Sequence, residues 1–543
     1  EKVGERPAFA ALEQRLVTHS MPTALVGVGH VRWATRGEVA ERNAHPHLSP
    51  DGRFALVHNG NVDQASLVAL RTLVDGDVLQ SETDSEVLVA AWAKSCVEAE
   101  ARSTPIDARL FAEFVARVQG TNAFVCLDRL QPERLFVGVT GVGELYGALG
   151  SEGEFVLASS PYVLMGVAET YTALAPGAYL FGPNQTEIPG EQYQFDPGAQ
   201  APSADGFAHI MQAELFHVPG AIRRVVDAYR AEPMRRRLVT TLVGTDRPDE
   251  IVFLACGTSL HAAEFLAPLF ATRLGIPVRA IDATNVIDAP VALYGPHALV
   301  VAISQSGTTT DTLKALADCL AAQRGHARQI STIGVHNNPM GALAHQVQTS
   351  LYTCTGEERA TASTMAFFGQ CAVLWLLLDA LDPTSTEGTT IAQFDELLQL
   401  ASQLERVRER QGGLIGMAER LVSTTSFKIL ALGSDVAIAS EGALKLEEVV
   451  YCPSAPLPAG RLKHGPLALV PDKATILVLA PKQEHDPRYD RLVGAIEDVR
   501  TRKGKVVVFT TEGNEDFGDR SVDVVTVPLA PNLFAQGLLF AYV

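Results

Sequence analysis

Cysteine is scarce in this chain and never paired. Seven occur in 543 residues: Cys96, Cys126, Cys256, Cys319, Cys354, Cys371 and Cys452. No two stand in a Cys-x-x-Cys spacing, and most lie in apolar runs. That argues against a disulfide framework and for reduced thiols in the core of a cytoplasmic protein. Positive charge is also short: 44 Lys and Arg against 62 Asp and Glu leave a net charge of −18 and a pI near 5.3. Neither nucleic acid nor an anionic membrane is expected as the main partner. An anionic ligand would need a pocket locally favourable to it. No long hydrophobic run is present. The most apolar stretch, Cys371-Ala-Val-Leu-Trp-Leu-Leu-Leu378, is too short to cross a bilayer and reads as a buried helix. No secretory leader is visible.

What is present is an ordinary globular composition, 47% hydrophobic and 20% charged. The length is too great for one core and predicts three or four domains. Short apolar runs at 23–30, 53–58, 122–127, 135–140, 154–158 and 178–182, separated by turn residues, predict a strand-rich α+β domain. Residues 195–206 read as a linker, and helical spacing follows from 209 to about 243. From about 250 the pattern becomes strand, helix, strand, helix, the signature of a buried parallel sheet.

The stretch Leu254-Ala-Cys-Gly-Thr-Ser259, followed by Ser304-Gln-Ser-Gly-Thr-Thr309, is the most informative. Each is an apolar strand ending in a small-residue turn that runs into a helix. Hydroxyls and free backbone N–H groups at such a helix start favour a phosphate. The unit then repeats. Leu430-Ala-Leu-Gly433 echoes the first turn, and residues 475–480, 505–510 and 522–527 stand where 298–303, 330–335 and 349–353 stood. In the second copy the phosphate turn has decayed to Pro481-Lys-Gln-Glu484. One sugar-phosphate site per chain is expected, in the first copy, with the second contributing other groups.

These paired turns resemble the signatures of sugar isomerase (SIS) domains, which bind phosphosugars. The first third carries Gly29-His-Val-Arg-Trp-Ala-Thr-Arg-Gly37, Asn43-Ala-His-Pro-His47, Val57-His-Asn-Gly60 and Ser81-Glu-Thr-Asp-Ser-Glu86. In this order they resemble the glutaminase domain of N-terminal-nucleophile amidotransferases. Joined to two SIS units, they resemble the glutamine–fructose-6-phosphate aminotransferase (isomerising) family over nearly the whole chain. The resemblance implies a glutaminase domain over residues 1–190, a linker and connecting helix over 191–240, and SIS domains over 241–385 and 416–543 joined by 386–415. The glutaminase domain would be α+β and each SIS domain a doubly wound α/β parallel sheet.

The resemblance also implies roles. Arg32 would hold the carboxylate of glutamine by a bidentate pair, and Asp84 its amino group. Thr35 and His45 would lie near that pocket, Asn59 and Gly60 would form the oxyanion hole, and Trp33 would gate an ammonia channel. Ser304, Gln305, Ser306 and Thr309 would surround the phosphate, with Ser259 and Ser363 on the sugar. In Glu441-Gly-Ala-Leu-Lys-Leu-Glu-Glu448, residues Glu441, Lys445 and Glu448 share one helical face. Glu448 would move a proton between C1 and C2, with Lys445 beside it and Glu441 in the sugar-phosphate site. His464, in Ala459-Gly-Arg-Leu-Lys-His-Gly-Pro466, would assist ring opening from a neighbouring subunit, making a homodimer with a shared site. Glutamine and fructose 6-phosphate would be the substrates, with no metal and no organic cofactor. His261, His336 and His345 read as structural or surface groups.

Departures from the family pattern are Thr308 in place of Glu, Met365 in place of Lys and Arg461 in place of Glu. They leave open a relative acting on another ketose phosphate, an ammonia-using or deglycating enzyme, and a non-catalytic phosphosugar sensor. The family nucleophile is an N-terminal cysteine, whereas this sequence begins Glu1-Lys-Val-Gly. The expectation is that the start is missing, and that the end, with the family's tail lysine, is missing too. A natural loss of glutaminase activity is the alternative.

Overall fold

A computed structural model describes residues 26–31, 38, 40–74, 78–141, 143–151, 153–182, 187–195, 206–231, 248–288, 297–323, 329–339, 341–469, 474–482, 487–517 and 522–543. The chain divides into two compact units, Glu1–Asp196 and Pro197–Val543.

In the first unit, strands β1 (His47–Leu48), β2 (Phe54–Val62), β3 (Gly120–Asp128), β4 (Gln131–Thr140) and β8 (Gly177–Phe181) form an antiparallel sheet in the order β1-β2-β3-β4-β8. A second sheet, ordered β6-β5-β7-β9, is built from β5 (Tyr146–Leu149), β6 (Phe155–Ala158), β7 (Thr170–Ala173) and β9 (Glu191–Gln194). The helices are α1 (Gln64–Arg71), α2 (Asp84–Ala101) and α3 (Ala108–Val115). Alternate residues of the central strands serve two cores, because successive side chains point to opposite faces. Leu56, Phe124, Cys126 and Phe136 pack with α2 and α3, while Val125, Val137 and Val139 pack with Leu145, Leu174 and Phe181. Burial on both faces explains the near-continuous apolar reading of residues 123–127. Trp92 of α2 centres the helical side, with ring centroids 5.1 Å from Phe111, 5.4 Å from Phe114 and 5.3 Å from Phe136. Each such pair contributes about 0.5–1.5 kcal/mol beyond area burial. The strand expected at 23–30 is not formed in its described part: residues 26–30 are irregular, and Val28 packs on the second core without joining a ladder.

The second unit holds two parallel sheets. One runs β11-β10-β12-β13-β14, from β10 (Glu250–Ala255), β11 (Val278–Asp282), β12 (His297–Ile303), β13 (Gln329–His336) and β14 (Thr349–Tyr352). The other runs β16-β15-β17-β18-β19, from β15 (Ser426–Ala431), β16 (Ser454–Pro458), β17 (Ala474–Ala480), β18 (Lys505–Thr511) and β19 (Asp523–Val527). Both have the strand order 2-1-3-4-5, so the duplication read from the sequence is reproduced strand for strand. It extends to backbone angles: Gly257 and Gly433, each just after the first strand of its copy, have φ of +53° and +63°, values that glycine adopts without strain.

The helices of this unit are α4 (Ile210–Ala231), α5 (Gly257–Leu274), α6 (Thr310–Gln323), α7 (Ala342–Gln346), α8 (Met365–Leu381), α9 (Glu387–Glu409), α10 (Gln411–Leu421), α11 (Asp435–Lys445), α12 (Pro487–Thr501) and α13 (Leu533–Tyr542). One core spans both copies, joining Phe253, Phe265 and Leu374 to Ile429 and Leu538. The apolar run at 371–378 falls inside α8 and is almost wholly buried, as a core helix should be. Trp375 of α8 stacks on Phe534 of α13, its counterpart in the second copy, at 4.4 Å and 3°. All seven cysteines are free, five of them buried, and burial pushes the thiols of Cys96, Cys126 and Cys371 upward. They are core groups. No described helix is long and apolar enough to cross a membrane.

His336, at the end of β13, is fully buried. Its Nδ1 hydrogen-bonds Asn338 O at 2.7 Å and its Nε2 faces Ser350 Oγ at 2.9 Å. Burial pushes its pKa down from 6.5 to about 4. A base whose folded pKa is lowered is refused its proton by the fold, so between these values the unfolded chain binds more protons. Stability from this group is therefore complete above about pH 6.5 and is lost as pH falls toward 4. We expect the unfolding free energy of this unit to drop by about 2 kcal/mol between pH 7 and 5 on this account. Urea unfolding of wild type and His336→Gln checks it: the variant should show a flatter pH dependence, and parallel curves would contradict the assignment.

Candidate active site

In a sheet of order 2-1-3-4-5, the chain leaves the first and third strands in opposite directions, opening a crevice at their carboxyl ends. Here those strands are β10 and β12, and the turns leaving them are the two singled out in the sequence. After β12, the loop is shaped by its own hydroxyls. Ser304 Oγ accepts from Gly307 N at 3.1 Å and bonds Thr309 Oγ1 at 2.8 Å. Ser306 Oγ accepts from Thr308 N at 3.2 Å and from Thr308 Oγ1 at 2.8 Å. Gln305 is anchored through its carbonyl, which accepts from Asn337 N at 3.0 Å. Small residues allow this tight winding into α6, and the N–H groups at a helix start, which lack intrahelical partners, suit an anion.

Ser259, in the first turn of α5, is buried and its Oγ accepts from Gln370 Nε2 of α8 at 2.9 Å. Ser363 lies in the loop before α8. Two acidic side chains pin that loop. Glu358 Oε1 accepts from Thr364 N and, at 3.0 Å, from Thr364 Oγ1, and Glu214 Oε1 on α4 accepts from Ala360 N at 2.9 Å. Burial pushes both carboxyls up, while these hydrogen bonds oppose the shift.

The second copy enters through α11, which packs across α5. Glu441 is buried, and Lys445 lies between two carboxylates, with Nζ 3.4 Å from Glu441 Oε1 and 2.6 Å from Glu448 Oε2. Lys445 Nζ also donates to Thr258 Oγ1 at 3.1 Å, and Thr258 Oγ1 donates to Glu441 Oε1 at 3.0 Å. Glu448 sits in a π-helical turn, Leu446–Val450, that follows α11. Such wide turns are frequent at functional sites because they re-aim a side chain. Glu447 is exposed and Glu448 half-buried. Thr258, in the first turn of α5, thus meets Glu441 and Lys445 of the other copy. His464, at the end of the turn Ala459–His464, is exposed, and among the described residues no hydrogen bond joins it to Glu448.

In the first unit, Asn59 and Gly60 lie inside β2, paired with Ala123 and Asn122 of β3. They do not form a hairpin turn. Gly60 has φ of +142°, and a Cβ there would stand 2.2 Å from Thr121 O, so only glycine fits. Asp84 begins α2 and its Oδ2 accepts from Val62 N at 3.1 Å. His45 Nδ1 accepts from His58 N at 3.2 Å, just before Asn59. His58 is buried, with Nε2 3.0 Å from Asn122 Oδ1 and Nδ1 3.0 Å from Ser85 Oγ. Burial pushes its pKa down, so it stays neutral and braces the strand. Asn59, Gly60, His45 and Asp84 are therefore tied into one network. Arg32, Trp33 and Thr35 lie outside the described residues, as do Gln483 and Glu484 of the decayed turn. Among the described residues no group of His, Cys, Asp and Glu is arranged to hold a metal ion.

Comparison with known proteins agrees with this layout. The SIS domain family matches residues 246–380 and 420–543, and a glutamine amidotransferase domain family matches 30–166. The glutamine–fructose-6-phosphate aminotransferase (isomerising) of Chlorobaculum tepidum is 31% identical over 529 residues, covering 93% of this chain and 83% of that protein. This chain belongs to the glutamine–fructose-6-phosphate aminotransferase family. Its relative of the same name in Thermus thermophilus is 30% identical over 549 residues, covering 98% of this chain and 85% of that protein. Among solved structures, the C-terminal domain of glucosamine-fructose-6-phosphate aminotransferase from Francisella tularensis superposes with a TM-score of 0.54 at 23% identity, covering 63% of this chain and 94% of that one. Tagatose-6-phosphate ketose/aldose isomerase from Escherichia coli gives 0.52 at 18% identity, covering 63% of this chain and 92% of that one. These two likenesses establish the SIS fold of the second unit of this aminotransferase-family chain.

Sequence reading of this family member missed several participants. His261 reads as a surface or structural histidine, yet its Nδ1 lies 2.7 Å from Glu441 Oε2. Gln370 and Glu214 carry no local signal, because their partners are 111 and 146 residues away, and Glu358, whose partner Thr364 is six residues on, stands in no regular element that would fix their spacing.

Proposed function

We propose that this chain converts fructose 6-phosphate to glucosamine 6-phosphate, taking nitrogen from glutamine and releasing glutamate. One observation carries the sugar half of this reading. Thr258, in the turn that follows β10, meets Lys445 of the second copy at 3.1 Å, and the Ser304–Thr309 loop leaves β12, the strand paired with β10. A phosphate held at one end of a six-carbon sugar leaves C1 and C2 for a carboxylate at the other. The names of the relatives, together with the amidotransferase match, support glutamine as the nitrogen source.

In this reading the first unit hydrolyses the glutamine amide. Asn59 and Gly60 form the oxyanion hole for the tetrahedral intermediate, Asp84 binds the substrate amino group and Arg32 its carboxylate, with Thr35 and Trp33 assigned by the family resemblance to the glutamine pocket and the ammonia gate. Ammonia adds to the C2 carbonyl of the open-chain ketose and water leaves, forming an imine. Glu448 takes a proton from C1 and returns it to C2, giving the aldose with nitrogen on C2. A carboxylate positioned beside an acidified C–H suits that transfer. Lys445 steadies the carboxylate, and Ser259 and Ser363 hold the sugar hydroxyls. His464 acts on the ring of the sugar bound to a second copy, which makes the working unit a homodimer.

The test uses protein from the complete reading frame, supplied with fructose 6-phosphate and either glutamine or ammonium. Glutamate and hexosamine phosphate are quantified together. Equal release of both from glutamine is expected. Absence of a hexosamine product from either nitrogen source would overturn the reading and turn attention to Thr308, Met365 and Arg461 and to another ketose phosphate.

A further inference from the structure

His261 stands on α5, one turn beyond Gly257, on the side facing α11. Its Nδ1 lies 2.7 Å from Glu441 Oε2, with the two side chains only 16% and 8% exposed. The other oxygen of Glu441 accepts from Thr258 Oγ1 at 3.0 Å. A nearly buried carboxylate needs donors on both oxygens, because an unmatched one carries the full cost of lost hydration. Lys445 is the neighbour under competition. Its ammonium has three protons, directed at Glu448 at 2.6 Å, Thr258 at 3.1 Å and Glu441 at 3.4 Å. The short contact goes to Glu448 and the long one to Glu441, although Glu441 is the more deeply buried carboxylate. Burial alone would favour the reverse order. His261 accounts for the difference, since it already satisfies Glu441.

We propose that His261 is a positioning residue of the sugar-converting site: by saturating Glu441 it leaves Lys445 to hold Glu448 in place for proton transfer. The proposal rests on the reading of Glu448 as the group that moves the proton. Without the imidazole, Lys445 turns toward Glu441, and Glu448, in its π-helical turn, loses the contact that fixes its carboxylate.

The geometry supplies a discriminating set of variants. The Nδ2 of asparagine falls near the place of a histidine Nδ1, so His261→Asn keeps a donor for Glu441. His261→Gln carries its donor one bond further out, and His261→Ala has none. Each is measured in the full chain for hexosamine phosphate formation, with kcat and KM for fructose 6-phosphate determined separately. For His261→Ala and His261→Gln we expect kcat lowered by about 10–100-fold with KM within about threefold, the scale of a misplaced catalytic group. His261→Asn should recover to within about fivefold of wild type. Wild-type kcat in His261→Ala, a defect confined to KM, or equal defects in the Asn and Gln variants would each overturn the positioning role. If the alanine variant does not fold, the Asn and Gln pair decides. Glu448→Gln in the same assay separates the two levels. Normal turnover there removes the base assignment itself, whereas an inactive Glu448→Gln with an unimpaired His261→Ala removes only the role of His261.

Discussion

Glu448→Gln is expected to lower hexosamine phosphate formation by about 10²–10⁴-fold, the range that a positioned acid–base group contributes, while binding of fructose 6-phosphate changes less than about threefold. The substitution is nearly isosteric. The amide oxygen still accepts from Lys445, which now lies 2.6 Å from Glu448 Oε2, so the local fold has no reason to move. In the proposed reading the phosphate is held elsewhere, on the Ser304–Thr309 loop, so affinity has no reason to fall. What disappears is the ability to take a proton from C1 and return it to C2. Turnover is read from product formation and binding from calorimetric titration with fructose 6-phosphate. In deuterium oxide, incorporation of solvent deuterium at C2 of the product should also be lost. A variant that turns over normally would show that another group carries the proton.

Gly60→Ala is expected to disable the first unit. The added Cβ would meet Thr121 O at 2.2 Å and Asn122 Cα at 2.7 Å, at a φ of +142°. Both neighbours are backbone atoms of β3, so neither can swing away as a flexible side chain would. Either the β2–β3 ladder opens or Gly60 changes its dihedral angles, and each route displaces Asn59 and Gly60. Backbone strain and overpacking each cost about 1–3 kcal/mol, which together predict a loss of roughly 2–6 kcal/mol in that unit. Thermal unfolding should show its transition lowered by several degrees with the transition of the second unit unchanged, and glutamate release should be lost. An unaltered first transition with normal glutamate release would contradict the placement of Gly60.

The duplicated parallel sheets were legible because buried strands read as apolar runs and each first strand ends in glycine, at 257 and 433. Two edge strands were not. Val278–Asp282 interleaves Arg279 and Asp282 with its apolar residues, and Ser454–Pro458 carries Pro456 and Pro458, which edge positions tolerate. The hydroxyl-braced loop at Ser304–Thr309 could be read because its bonding partners are local in sequence. The Glu441–Lys445–Glu448 face could be read for the same reason, helical spacing being a short-range property. His261 and Gln370 could not. Their partners lie 180 and 111 residues away, and only tertiary packing brings them together. The Asn59-Gly60 dipeptide alone suits a hairpin turn, but it pairs with Ala123 and Asn122 inside the β2–β3 ladder, a placement set by a strand more than sixty residues away.

The central claim is that two diverged copies of one sheet build a single sugar site, the first supplying the phosphate loop and the second the acid–base group. A crystal structure with fructose 6-phosphate bound tests it most directly. The account predicts one sugar per chain, its phosphate against Ser304, Ser306 and Thr309 and its C1–C2 bond facing Glu448. A phosphate seated instead beyond β15 and β17, near Gly433, with Glu448 turned away from the sugar, would contradict it.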